Sequence, residues 1–173
     1  SKESKPDLPK IITSGTNLCI PKGHAWWLGK ELSSIEDAIE TTKSLILKGV
    51  SHIKIMATGG IITEGAEPGS PELSPIFIKA ICDEATKYNI HVVSHAQGEV
   101  GILNSLENGV SYIEHGFEIT EKIAVLFNER AATLTPTFSA VNSIINNIDK
   151  VPTFMKQKLI PQVKKHKDSF KLA

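Results

Sequence analysis

One arrangement recurs along this chain and limits what it can fold into: residues at helical spacing, then a single glycine or asparagine, then a short run rich in β-branched residues. Ile35, Ala38, Ile39, Thr42, Leu45 and Ile46 share one face of a helix that Ser33 or Ser34 can cap and Gly49 can stop, and residues 50–57 follow as a strand. Ser74 as N-cap and Pro75 in the first helical position open a second helix, with Ile76, Phe77, Ala80, Ile81, Ala85 and Tyr88 inward. Asn89 ends it, and IHVVSH reads as the next strand. A third unit places Val100, Leu103 and Leu106 inward, stops at Gly109 and leads into VSYIEH; a fourth, over residues 119–128, leads into AATLTP. Serial units of this kind predict an α/β fold with parallel strands and right-handed crossovers. PKIITSG is expected to add one more strand. Pro152 and Pro161 are both expected to start C-terminal helices, with Leu159, Ile160 and Phe170 on the apolar side and seven lysines between residues 150 and 171 on a solvated one.

Composition narrows the function classes. The 173 residues are a length for one domain, residues 1–173, and 40% hydrophobic with 22% charged residues is an ordinary globular balance. Nineteen basic against nineteen acidic residues leave no electrostatic footprint for nucleic acid or an anionic membrane. The longest apolar run, residues 123–127, is far short of the ~20 residues that span a bilayer. Cys19 and Cys82 are distant from each other and lie in no Cys/His cluster, so neither a disulfide framework nor a zinc knuckle is expected. SKESKPDLPK lacks an apolar stretch of the kind a secretory signal carries, and a cytoplasmic location is the expectation.

Three polar residues interrupt the strand-like runs: Lys54 in HIKIMATGG, His95 in VVSHAQG and His115 in YIEHG. Each lies near the carboxyl end of its strand, and in a parallel sheet those ends converge on one face. Singly, a histidine there is a hydrogen-bonded core residue. Together, two imidazoles are the start of a divalent-metal site, since neutral histidine is a common nitrogen ligand. A lysine ammonium has no lone pair; it becomes an oxygen donor only as a carbamate. Residues 59–73, GGIITEGAEPGSPEL, form a connection far longer than the usual 2 to 6 residues, which reads either as a site-building loop or as a flexible surface loop. His52, His91 and His166 are expected to face solvent, and strand alternation sends Glu114 toward the helices if His115 faces the other way.

The runs GVSHIKIMATGG, VVSHAQG, NGVSYIEHG and LTPTFS, in this order, resemble the metal-dependent amidohydrolase superfamily, in its prolidase-like and imidazolonepropionase-like branch. The resemblance reaches from about residue 9, through PKGHAW, to about residue 170. It implies part of a TIM-type (β/α)8 barrel, roughly strands three to seven, with helices on the outer face. It places Lys54 on the lysine carboxylated in binuclear members, His95 and His115 on histidine metal ligands, and His24 near the substrate. The family's other ligands are an HxH pair on the first strand and an aspartate on the eighth that is also the general base. No HxH occurs in this sequence, and the aspartate is expected outside the chain.

The expected function is therefore a share of a metal-dependent hydrolase of amide or peptide C–N bonds, acting on N-acyl amino acids or Xaa-Pro-type dipeptides. Its cofactor is a divalent metal, with zinc the first choice and a carbamate on Lys54. Gly59, Gly60, Gly98 and Gly116 would let backbone approach the site. The alternatives are a mononuclear deaminase-like member, or a non-catalytic α/β piece that binds metal weakly. Partners are a small amide substrate, and either further copies of the chain in a homo-oligomer or the remainder of a longer polypeptide, because a slice of a barrel leaves sheet edges and an inner face, with Met56, Val93 and Ile113, to be covered.

Overall fold

The computed structural model describes residues 9–173. Six strands and six α-helices follow in the order β1 (Asn17–Cys19), β2 (Gly29–Glu31), α1 (Ile35–Leu47), β3 (His52–Met56), α2 (Pro75–Thr86), β4 (His91–Ala96), α3 (Glu99–Glu107), β5 (Tyr112–His115), α4 (Glu121–Glu129), β6 (Thr133–Thr135), α5 (Phe138–Asn146) and α6 (Thr153–Leu172). The strands form one sheet, ordered β2-β1-β3-β4-β5-β6 and parallel throughout.

The helix boundaries have local causes. The Ser34 hydroxyl accepts the Asp37 N–H and so satisfies one of the free donors of the first turn of α1. Pro75 begins α2, where its missing N–H costs nothing. After each of α1 to α4, one left-handed residue turns the chain into the next strand: Gly49 at φ +82°, Asn89 at +58°, Gly109 at +99° and Ala131 at +47°. The helices cover one side of the sheet. Ile53, Ile55, Val92 and Ile113 point to that side and pack with Ala38, Leu45, Ile81, Ile102, Leu106 and Ile123 in the main core. Ile113 therefore faces the helices and not the inner face assigned to it from sequence.

Helix α5, which no sequence signal announced, and α6 lie over the carboxyl ends of the strands. Ile61, Phe117, Val141 and Leu159 make a second small core there. The Lys158 ammonium, on α6, donates to the carbonyl oxygens of Thr63 (2.6 Å) and Ala66, tying the long 59–73 connection down. That connection is ordered, with a bridge between Thr58 and Pro71.

Several expectations from sequence are corrected. PKIITSG is not a strand, and the first strand begins two residues later at Asn17. Pro161 lies inside α6 and starts nothing. Ile76, Tyr88, Val100, Ile160 and Phe170 are largely exposed, because each helix buries a narrower stripe than its apolar pattern suggests.

Candidate functional site

The strand register brings the singled-out residues together. Lys54 pairs with Val93, Met56 with His95, and His95 with Glu114 across β3, β4 and β5, so Lys54, Met56, His95 and Glu114 share the sheet face opposite the helices. Alternation would then turn His115 toward the helices. It does not, because His115 adopts φ +78°, a left-handed conformation that returns its ring to the carboxyl end of the inner face. Sequence alternation had assigned Glu114 and His115 to opposite faces; one left-handed residue defeats that rule. Glu114 is instead the counter-ion of Lys54, its Oε2 accepting from Nζ.

Three imidazoles stand in a row. His24 and His95 stack with centroids 4.3 Å apart and planes at 28°, and His95 meets His115 edge-on at 4.5 Å. His24 arrives from the loop after β1 and is held by backbone and ring: its backbone N–H donates to Glu72 Oε2 at 2.7 Å, and its ring Nδ1 shares a hydrogen bond with Thr63 Oγ1 at 2.8 Å. Gly60 lies under the ring, where a Cβ would come within 2.4 Å of it. His95 Nε2 lies 3.3 Å from the Gly59 carbonyl oxygen, and His115 Nδ1 shares a 2.6 Å hydrogen bond with Thr137 Oγ1.

Burial sets the charge states. It lowers the His24 pKa to about 4 and the His115 pKa to about 3, with the positive charge of Lys54 next in both cases. His95 is also held well below the ordinary value, by burial first and then by its histidine neighbours. All three rings are neutral at pH 7. Burial also lowers the Lys54 pKa, against the opposing pull of Glu114.

A cavity of about 200 Å³ opens beside the rings, lined by His24, His95, His115 and Gln97 and by apolar side chains of the long loop, α5 and α6. Among the described residues, no three His, Cys, Asp or Glu side chains stand ready to hold a metal ion. In donor chemistry, His95 and His115 suit a divalent cation, being neutral imidazoles at one strand end. Lys54 suits it only after conversion to a carbamate, and here its ammonium is paired with Glu114.

His166 was expected in solvent and is 1% exposed, packed between Phe117 and Phe138 at 4.5 Å each. Neither ring nitrogen makes a hydrogen bond of normal geometry, although the carbonyls of Pro136 and His115 lie close enough to favour its protonated form against the larger effect of burial. Its lysine neighbours in sequence hid it. His91 is exposed and His52 partly so. Gln97, Thr63 and Thr137 also carried no sequence signal, because a lone amide or hydroxyl in a loop marks nothing by itself.

The parallel sheet, with helices on one side, polar side chains gathered at the carboxyl ends and no closure within the described residues, matches part of a (β/α)8 barrel. This chain belongs to the amidohydrolase family, whose model matches residues 9–169. It is 28% identical over 107 residues to the ochratoxinase of Aspergillus niger, a match covering 62% of this chain and 22% of that protein. A prolidase crystallised with N-methylphosphonate-L-proline superposes with a TM-score of 0.90 at 26% identity, covering 95% of this chain and 45% of that one. The crystal structure of the A. niger ochratoxinase shares the fold, with a TM-score of 0.86 at 22% identity and the same 95% and 45% coverage. The chain thus spans less than half of each of these relatives. Among the described residues, no helix is long and apolar enough to cross a membrane.

Proposed function

We propose that this chain supplies part of the active site of a metal-dependent amidohydrolase cleaving amide or peptide C–N bonds, in N-acyl amino acids or Xaa-Pro-type dipeptides. The observation that carries the reading is the row of three neutral imidazoles at the strand ends, beside a cavity of about 200 Å³ and one step above Lys54. His95, His115 and a carbamate on Lys54 are the groups that would hold the metal, with zinc first in line. A divalent cation held there supplies polarisation of the substrate carbonyl and a lowered pKa for attacking water. The residues of this chain do the rest of the positioning. Thr137 fixes the tilt of the His115 ring through Nδ1, Gly59 steers His95, and Thr63 with Glu72 holds His24 against the cavity, where it contacts substrate. The apolar loop, α5 and α6 exclude bulk water from the same space. The general base is expected from an aspartate outside this chain.

The test is hydrolysis of Xaa-Pro dipeptides and N-acyl amino acids by the full-length polypeptide, with metal content measured alongside. His95→Ala and His115→Ala should each abolish turnover and lower bound metal; unchanged turnover in either overturns the reading. A mononuclear centre with unmodified lysine is the second reading, favoured by the Lys54–Glu114 ion pair. One tightly bound metal per chain, with no carbamate signal in a ¹³C spectrum under labelled CO₂, would select it.

The partner surface follows from the sheet. Its inner face and its outer strands β2 and β6 are proposed to be covered by the remainder of a longer polypeptide or by a second copy. Light scattering of the isolated 173-residue chain tests this: a stable monomer at tens of micromolar would contradict it.

A further inference from the structure

Helix α6 reaches the strand ends through one buried residue that the chemistry described above does not use. His166 is 1% exposed, and neither ring nitrogen has a hydrogen-bond partner of normal geometry. A buried imidazole N–H left unpaired is costly, and a phenylalanine or leucine would fill an apolar slot without that cost. The ring lies between Phe117 and Phe138, 4.5 Å from each ring centroid, and beside the backbone carbonyls of Pro136 and His115. These four residues belong to two turns that share a peculiarity. At the end of β5, His115 is left-handed at φ +78°, and at the start of α5, Thr137 is left-handed at +54°. Neither is glycine, and such conformations persist only where the surroundings over-determine them. The two turns meet in the 2.6 Å hydrogen bond between His115 Nδ1 and Thr137 Oγ1, which sets the tilt of the His115 ring. Helix α6 grips the first turn at two more points: Ser169 Oγ accepts the Ile119 N–H, and Lys165 pairs with Glu118.

We propose that His166 is a positioning residue for His115: wedged between Phe117 and Phe138, it gives its ring N–H to the backbone carbonyls of the two left-handed turns and so holds His115 and Thr137 within hydrogen-bonding distance. A neutral imidazole has one N–H to give, and either carbonyl, or both sharing it, ties α6 to the backbone that aims His115. With Nδ1 engaged by Thr137, Nε2 is the His115 nitrogen so aimed. The aromatic wedge accounts for the shape of the slot, since each phenyl is anchored in one of the two turns. It does not account for a ring with nitrogens, and the carbonyls do. That the aim of His115 matters to a metal rests on the proposed amidohydrolase reading; the bracing of its backbone does not. A ligand imidazole whose orientation is fixed from behind binds more tightly, and loss of such support typically costs ~10- to 100-fold in metal affinity.

The test separates the ring's shape from its nitrogens, in the full-length polypeptide. His166→Phe keeps a planar ring in the slot and removes the N–H. His166→Gln and His166→Asn present an amide N–H where Nε2 or Nδ1 stands. Zinc alone is titrated into each metal-free protein in competition with a chromophoric chelator, at a temperature where all are folded. His166→Phe should bind zinc at least ~10-fold more weakly than the wild type, and one of the two amide variants should return to within about threefold. A folded His166→Phe that binds zinc within about threefold of the wild type overturns the proposal, because a residue that only fills space would behave that way. Failure of both amide variants to restore binding also overturns it. A crystal structure of the wild type provides a measurement that needs no variant. It should place a ring nitrogen of His166 within about 3.2 Å of the His115 or Pro136 carbonyl oxygen, and both oxygens lying beyond hydrogen-bonding distance overturn the proposal even if His166→Phe does not fold. If the wild type binds no zinc, the amidohydrolase reading fails while this inference is still decided, by those distances and by whether the His115–Thr137 hydrogen bond opens in crystals of His166→Phe. Zinc binding and hydrolysis that are indifferent to His166→Phe would do the reverse.

Discussion

His115 is the residue on which the geometry of the site turns, because its backbone lies at φ +78° and carries its ring back beside His95. A non-glycine residue in that region is strained by roughly 1 to 2 kcal/mol. Of two variants that both delete the imidazole, His115→Gly should be more stable than His115→Ala by about 1 kcal/mol, measured by urea denaturation. Equal stability would show that the conformation is not left-handed. Lys54 and Glu114 make a second residue-scale case. The Lys54 side chain is only 14% exposed, so Glu114→Gln leaves a nearly buried ammonium without its counter-ion. Glu114 itself is 32% exposed, so water offsets part of the loss, and a destabilisation of about 1 to 3 kcal/mol is expected, recovered largely in Glu114→Gln combined with Lys54→Met. Lys54, His95 and His115 were legible in the sequence because each interrupts an apolar run. The orientation of Glu114 was not, since alternation holds only while the strand stays extended. The burial of His166 was not either, because the lysines beside it belong to the opposite side of the same helix.

At the scale of elements, the helix-to-strand turns were legible wherever a residue type announces a left-handed conformation, as Gly49, Asn89 and Gly109 do. The fourth such turn uses Ala131, which announces nothing. Helix α5 was missed for a related reason: it opens at Thr137, itself left-handed at φ +54°, with no capping side chain. The loops after β1 and β3 act on each other. Gly60 of the second lies under His24 of the first, and an added Cβ would approach the ring to 2.4 Å. Gly60→Ala should push His24 out of its stack and toward water. Its titration midpoint, followed by ¹H–¹⁵N spectra of the imidazole, should then rise from about 4 toward the ordinary value near 6.5. A midpoint unchanged from the wild type would mean that the loop yields instead.

For the whole molecule, the buried neutral histidines couple stability to pH. His24 and His115 titrate near 4 and 3 when folded and near 6.5 when unfolded, so below about pH 6.5 the unfolded chain binds more protons. Their contribution is complete above that pH and is lost as the pH falls toward the folded values. Scanning calorimetry should find Tm level between pH 8 and 7 and declining from about pH 6 to 4; a flat profile across that window would contradict the assignment of neutral, buried rings. The sheet order has a further consequence, for the way the chain acquires its shape. From β4 onward, every strand lies beside the one made just before it. A growing polypeptide therefore presents each new strand to an edge already waiting, and the helix laid down between them seals one more portion of the outer core. Each pairing closes a whole crossover, residues 57–90, 97–111 and 116–132, which makes parallel assembly slower than hairpin assembly and leaves each new edge free to capture a stranger until the next strand arrives. The imidazole row needs β4, β5 and the start of α5 together, so the chemistry-bearing end of the sheet forms only after the scaffold beneath it is in place.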